Sequence, residues 1–298
     1  MSTVRHDHSA SYLQLHRQAM HKRFIIRFLH YFALILVAII TIFPLLWAFF
    51  ASMRSDNELY KYALPFSWHT IFPVEFTFES YWRVLTEFGF MRAALNTLLI
   101  IGIQIPCACL INSVAAFSFA TFSFKGKNAL FAFFLVSFMI PFEAISIPLY
   151  KMINAWRWVD TRWALIVPGV ASGLQLFLFR QFFADVPSSL VESARVDGAS
   201  WVQIFFRIMV PMCVPIFITA GLMIFMNEWN SYMWPLLVAR SVKIRTVQIM
   251  LASVKMEHTT LWSCMYAGSV LSVLIPIAIF LPLQKYFVEG ITAGAVKG

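Results

Sequence analysis

Two carboxylates, Glu143 and Glu228, stand inside long apolar runs, where an ionisable group is costly unless it lines a path or finds a partner. Around the second the chain reads Asn227-Glu228-Trp229-Asn230-Ser231-Tyr232-Met233-Trp234. Amide and carboxylate groups hydrogen-bond hydroxyls, and aromatic rings offer flat faces to stack on. Asn227, Glu228, Asn230, Tyr232 and Trp234, together with Glu143, are therefore the candidate path of a polar, sugar-like solute. Interhelical hydrogen bonding and interfacial aromatics are the competing reading of the same residues. Each carboxylate stands about 15 residues from the inner end of its helix, roughly 22 Å along the axis, which gives the two a similar expected depth.

Other chemistry is poorly supplied. No Gly-x-x-x-x-Gly-Lys-Ser/Thr phosphate loop occurs, so the chain cannot itself be an ATPase of that kind. No His, Cys or carboxylate constellation has catalytic spacing. Cys107, Cys109, Cys213 and Cys264 fall inside or beside apolar runs and read as small packing residues. His6, His8, His16 and His21 belong to a flexible N-terminal tail rather than to a metal site.

The elements that must position these groups are membrane helices. The 298 residues are 60% hydrophobic and 12% charged, with 31 Phe and 10 Trp and a mean hydropathy of +0.74, too apolar for a soluble domain. The net charge of +9 is not arranged as a basic face alternating with aromatics, so a nucleic-acid groove is excluded. Six spans are predicted near 28–53, 92–118, 128–152, 163–183, 213–238 and 263–287, each long enough for a core of about 30 Å. The first should be kinked or broken at Pro44. Domains follow: a 1–27 N-terminal tail, a 28–290 transmembrane domain and a 291–298 C-terminal tail. Lys and Arg divide almost evenly between the two sides. The cluster Arg5, Arg17, Lys22, Arg23 and Arg27 nevertheless places the N-terminus, and with six spans both termini, in the cytoplasm. The 54–91 loop then lies outside, with Tyr81-Trp82-Arg83-Val84-Leu85 suited to a short interfacial helix. Asn112-Ser113 with Ala115, Ala116, Ser118 and Ala120 reads as a close packing face, and Gly169-Val-Ala-Ser-Gly173 as a lone small-residue match. No internal repeat and no matched pair of broken helices is evident.

Between the fourth and fifth spans, residues 185–211 carry their own structural signals. Ser189 and Glu192 have capping-box spacing, Pro187 suits a helix start, and Gly198 supplies a stop. Ser200 and Gln203 have the same capping spacing ahead of a second short helix, which Pro211 should end, with Trp201, Ile204, Phe205 and Ile208 on one face. A helix–Gly–helix is predicted.

Glu192-Ser193-Ala194, Asp197-Gly198-Ala199 and Ile208-Met209-Val210-Pro211 resemble the EAA motif of permease subunits of binding-protein-dependent ABC importers, with Ser193 where Ala is usual. Met139-Ile-Pro-Phe-Glu143, Ile147-Pro148-Leu149-Tyr150, Asn227-Glu228-Trp229-Asn230 and the ending Phe287 to Gly298 are similar to the maltose-permease-like carbohydrate branch, so the resemblance runs from about residue 80 to the C-terminus. It implies an all-α polytopic membrane protein of six transmembrane helices, type I ABC importer permease-like, in a bacterial inner membrane. It implies that the loop is cytoplasmic and docks on a separate ATPase through Glu192, Ser193, Ala194, Asp197, Gly198, Ala199 and Pro211. It also implies a second, non-identical permease, two ATPase subunits holding ATP and Mg, an extracytoplasmic solute-binding protein, and no cofactor or catalytic residue on this chain. An ion-coupled secondary transporter, an ABC permease for a non-sugar solute and a membrane-embedded enzyme are the alternatives.

Overall fold

The computed structural model describes residues 4–256 and 261–295, with side chains described for 25–255 and 261–286. The side chains of the N-terminal histidines, of the basic residues before Ile25 and of the residues from Phe287 onward lie outside the described ones. The first helix, α1 (Val4–Ala51), is followed by three short helices, α2 (Asp56–Lys61), α3 (Trp68–Ile71) and α4 (Glu79–Thr86). Then come α5 (Phe90–Thr121), α6 (Lys127–Met139), α7 (Phe142–Ala155), α8 (Arg162–Ile166) with a 3-10 turn to Gly169, and α9 (Gly173–Ala184). The chain ends with α10 (Ser188–Val196), α11 (Trp201–Ile204), α12 (Val210–Met212), α13 (Val214–Trp229), α14 (Met233–Val238), α15 (Val247–Met256) and α16 (Trp262–Ala295).

Three segments, Ile25–Ala51, Phe90–Thr121 and Trp262–Tyr286, are single helices long and apolar enough to cross a membrane. Three more are bent pairs: α6 with α7 at 96°, α8 and its turn with α9 at 43°, and the 201–212 segment with α13 at 80°. The number of spans agrees with six when each pair counts once, and the third, fourth and fifth are broken although the sequence shows no matched pair of broken helices. The bends have identifiable causes. Ile140 precedes Pro141, whose ring drives it out of the helical region, and both residues are extended. At the third bend Pro215 opens α13 without an N–H to give. Conversely, α1 runs through Pro44 without the expected break, and its backbone is helical from Val4.

The second bend needs outside help, because backbone groups freed inside a membrane must find partners. Asn112 of α5 supplies them. Its Nδ2 donates to the Val170 carbonyl (2.8 Å) and to Gln175 Oε1 (3.1 Å), and its Oδ1 accepts from the Ser172 N–H (3.0 Å). The small residues Ala108, Ser113 and Ala116 on the same helix are fully buried, which lets α9 lie closely against α5 as the small-residue pattern predicts.

Two aromatic-rich clusters flank this contact. Val84, Phe90, Phe225, Trp229, Met250 and Cys264 join α4, α5, α13, α15 and α16. Phe117, Phe179, Phe183, Ile204, Phe205 and Met209 join α5 and α9 to the 201–212 segment. Val84 is completely buried, so α4 is docked onto the bundle and does not simply rest on an interface; Trp82 on its other side stays exposed. The 54–75 stretch is tied by a buried pair, Arg54 Nε to Glu58 Oε1 (2.8 Å); the other guanidinium nitrogens donate to the carbonyls of His69 and Thr70, and the same Oε1 also accepts from the Val74 N–H. All four cysteines are free, and Cys213 and Cys264 are buried.

Candidate functional site

On α5, Thr97, Gln104 and Asn112 recur at seven- and eight-residue spacing, which is one face of a helix, and all three are buried. Asn112 holds the bend of the fourth span. Thr97 accepts the Val247 N–H (3.1 Å). Gln104 lies between them and donates through Nε2 to Glu228 Oε1 (3.0 Å) on α13. Asn227 Nδ2 reaches the same oxygen at 3.5 Å. Gly169 closes the group from the fourth span. A Cβ there would stand 1.9 Å from Gln104 Nε2 and 3.2 Å from Glu228 Oε1, so only glycine leaves room for this pair.

The pair forms part of the wall of a cavity of about 1080 Å³ between the bent spans. Phe138 and Phe142 flank the bend of the third span and line it, as do Pro168, Gly169, Ala171 and Ser172 around the bend of the fourth. The turn after α13 completes the lining through Asn230, Ser231, Tyr232 and Trp234. Broken helices therefore build the wall of this cavity.

The sequence-derived path is largely assembled here, with changes of role. Asn227, Glu228, Asn230, Tyr232 and Trp234 all line the cavity. Helical geometry splits the motif, however: Trp229 turns into the core, where its Nε1 donates to the Ser272 carbonyl (3.2 Å). The fifth span also stops at Trp229 instead of running to 238, and Asn230 caps it, returning Nδ2 to the Met226 carbonyl (2.7 Å). Trp234 spends its N–H on the Ala164 carbonyl (2.8 Å) and keeps its ring edge-on to Phe142. Glu143 does not join them. It is exposed in the first turn of α7, absent from the cavity wall. Axial counting had placed it level with Glu228, but counting along an axis presumes a straight helix, and this one turns through 96°. Gln104, Gln175, Ser172 and Gly169 went unnamed as site residues. A polar ladder at seven- and eight-residue spacing within an apolar run was the available signal for Gln104.

The 188–212 segment forms a second candidate site, at the end of the bundle reached by the C-terminus of α9. Gly198 has φ +83°, and nothing lies within 4 Å of a Cβ built on it, so the turn alone requires glycine. Ala199 N–H bonds the Ala194 carbonyl (2.9 Å) and Gly198 N–H the Arg195 carbonyl (3.1 Å), the paired bonds of a Schellman stop. Ser200 and Gln203 form the expected reciprocal capping box. Ser189 and Glu192 do not, because the cap falls two residues earlier, on Pro187, and α10 starts at Ser188. Glu192, Ser193, Asp197 and Gly198 are exposed, while Ala194 and Ala199 are partly buried. Pro211 stands inside α12 instead of ending the helix, which runs to Met212 through a π-helical stretch, Phe205–Met209. Trp201 packs edge-on against Phe122 at 4.7 Å, and Phe205 against Phe117 at 5.5 Å, so the exposed hairpin is rooted in α5. The Arg195 guanidinium lies over the Trp201 ring at 4.7 Å and donates to the Ala199 carbonyl (2.6 Å) across the turn.

The family described as binding-protein-dependent transport system inner membrane component matches residues 108–292, which include the hairpin and the cavity wall apart from Gln104. The chain belongs to this family. It is a multi-pass protein of the inner membrane, working in a transport system that depends on a binding protein. The arabinooligosaccharides transport system permease protein of Halalkalibacterium halodurans is 32% identical to it over 88% of this chain and 93% of that protein. A bacterial ABC transporter involved in the import of the acidic polysaccharide alginate shares its fold. The TM-score is 0.79 at 20% identity, over 88% of this chain and 96% of that one. A second alginate transporter structure, in complex with alginate pentasaccharide-bound periplasmic protein, aligns with TM-score 0.61 at 15% identity, over 85% and 91% of the two chains.

Proposed function

We propose that this permease conducts a sugar or sugar-like solute through the cavity at Glu228 and is driven by separate ATPase subunits that grip the hairpin around Gly198. The observation that carries the reading is the hairpin itself. Two capped helices present Glu192, Ser193 and Asp197 to solvent while Phe205 and Trp201 fasten them to α5. That same helix carries Gln104 into the cavity wall. A push on a stiff, capped hairpin is passed to the span lining the cavity, whereas a flexible loop would absorb it. Ala194, Ala199 and Pro211 shape the hairpin, and Glu192 and Asp197 offer carboxylates to basic groups of the ATPase. ATP and Mg reside on those partner subunits, and this chain performs no catalysis.

The sugar class rests on the cavity chemistry together with the relative named for arabinooligosaccharides. The assembly has this chain, a second and different permease, two ATPase subunits and an extracytoplasmic binding protein. The hairpin and both termini face the cytoplasm. Purifying the complex through this chain and assaying ATPase retention and solute uptake together tests the reading. Gly198→Val and Glu192→Ala should abolish uptake by releasing the ATPase or uncoupling its hydrolysis, with the subunit still in the membrane. Normal uptake by both variants would remove the hairpin from the mechanism.

A further inference from the structure

Taking the cavity as the solute path, we propose that Glu228 makes it charge-selective, admitting neutral and cationic solutes and turning away anionic ones such as uronates and sugar phosphates. The shared fold leaves cargo charge open, since a transporter with the same architecture serves an acidic polysaccharide. The lining of this cavity does not. Glu228 is its one carboxylate, and no Lys, Arg or His stands among the described residues that line it. Of the arginines on flanking segments, Arg162 bonds Asn96 Oδ1 (3.4 Å), Arg240 bonds the Tyr150 hydroxyl, and Arg180 lies over the Phe131 ring at 4.3 Å. An anion entering here meets a fixed like charge and no compensating cation, in surroundings that screen charge less than water does.

The geometry also holds that charge in place. Gln104, only 1% exposed, donates to Oε1 from behind, and the absence of a side chain at Gly169 lets the two groups meet. Both protein donors, Gln104 and Asn227, converge on Oε1, which leaves Oε2 for a donor from the solute. A hydroxyl or an ammonium can supply one; a carboxylate or phosphate monoester dianion cannot. The remaining polar lining groups, Asn230, Ser231, Gln175 and the Tyr232 hydroxyl, are uncharged and suit hydroxylated solutes.

Charge selection can be read without knowing the solute. Ser231→Cys places a reporter thiol on the cavity wall of the complete transporter, reconstituted in lipid with Cys107 and Cys109 replaced by Ala. Its reaction rates with a cationic and an anionic methanethiosulfonate of similar size are measured, each normalised to a free thiol in solution. The cationic reagent should react at least ~10-fold faster, the lower end of electrostatic focusing in clefts. Glu228→Gln should bring the ratio close to one. Asn227→Lys, which adds a cation beside the carboxylate, should do so independently if the first variant fails to assemble. A ratio near one with Glu228 present, or a ratio unchanged in the variant that assembles, overturns the proposal. Arabinotriose added as a neutral probe reports separately on the solute path. If it fails to slow labelling, the sugar reading falls, while the charge ratio still decides the role of Glu228.

Discussion

Gly169 is a position where a single methyl group should be felt across three spans. Its Cβ would overlap Gln104 Nε2, and the amide would have to leave Glu228. The clash is with the end of a side chain, so the fold should survive at a cost of about 1–3 kcal/mol. Gly169→Ala is expected to assemble normally but to lose most uptake, measured in proteoliposomes, and a wild-type rate would show that the Gln104–Glu228 pair is not needed. Asp160 gives a prediction with a pH sign. The Ser241 backbone N–H, donating to Oδ1 at 2.7 Å, holds this carboxyl below its usual range. A lowered folded-state value means that the stabilisation is complete above the ordinary value of about 4 and is lost as pH falls through the lower one. The protection of the Ser241 amide, its exchange rate relative to the intrinsic rate at the same pH, should therefore fall only in acid, and Asp160→Asn should flatten that response; loss of protection near neutrality would contradict it. At this scale the sequence shows which residues are polar in an apolar setting but not which way they face. Glu228 was readable because amides and aromatics crowd around it. Glu143 was misplaced by a bend that no local count reveals, whereas Trp229, left out of the path, is turned into the core by about 100° per residue from its neighbour.

Among the elements, the hairpin was the most legible, because its signals are local. Gly198 stops α10 in the left-handed region, and Ser200 with Gln203 starts α11, both as their spacing indicates. The box at Ser189 failed because Pro187 took the cap, and the π-helical stretch is set by packing against α5 and α9, which no short window contains. Since no atom crowds Gly198, its substitutions separate backbone strain from sterics. Gly198→Ala should cost on the order of 1–2 kcal/mol, whereas Gly198→Asn, which tolerates a left-handed turn, should cost less. ATPase retention should then rank Gly above Asn above Ala and Val; equal retention by all four would mean that the turn carries no load. Ser200→Ala should weaken the same contact by about 1 kcal/mol through loss of the cap.

For the whole molecule, the number of crossings depends on the bent pairs. A pair bent by 96°, such as α6 with α7, either crosses the membrane or dips into it and returns, and the two outcomes differ in parity. Three pairs that cross make six spans and put both ends of the chain on one side, where the N-terminal basic cluster and the Gly198 hairpin would also lie. Trp68 and Ser188 are then separated by three crossings, an odd number, and must face opposite sides. If one pair returned instead, two crossings would remain and both residues would face the same side. Both positions are exposed, so a failure to react reports sidedness rather than burial. With the exposed Cys107 replaced by Ala, Trp68→Cys should react with an impermeant thiol reagent applied to intact cells. Ser188→Cys should react only after the membrane is opened. Val242→Cys, one further crossing along and 52% exposed, should behave like Trp68→Cys. Reaction of all three from outside would make two bent pairs re-entrant, the 201–229 pair and one of the two between Trp68 and Ser188, and the reverse pattern would turn the protein over in the membrane and take the Gly198 hairpin out of reach of a cytoplasmic ATPase.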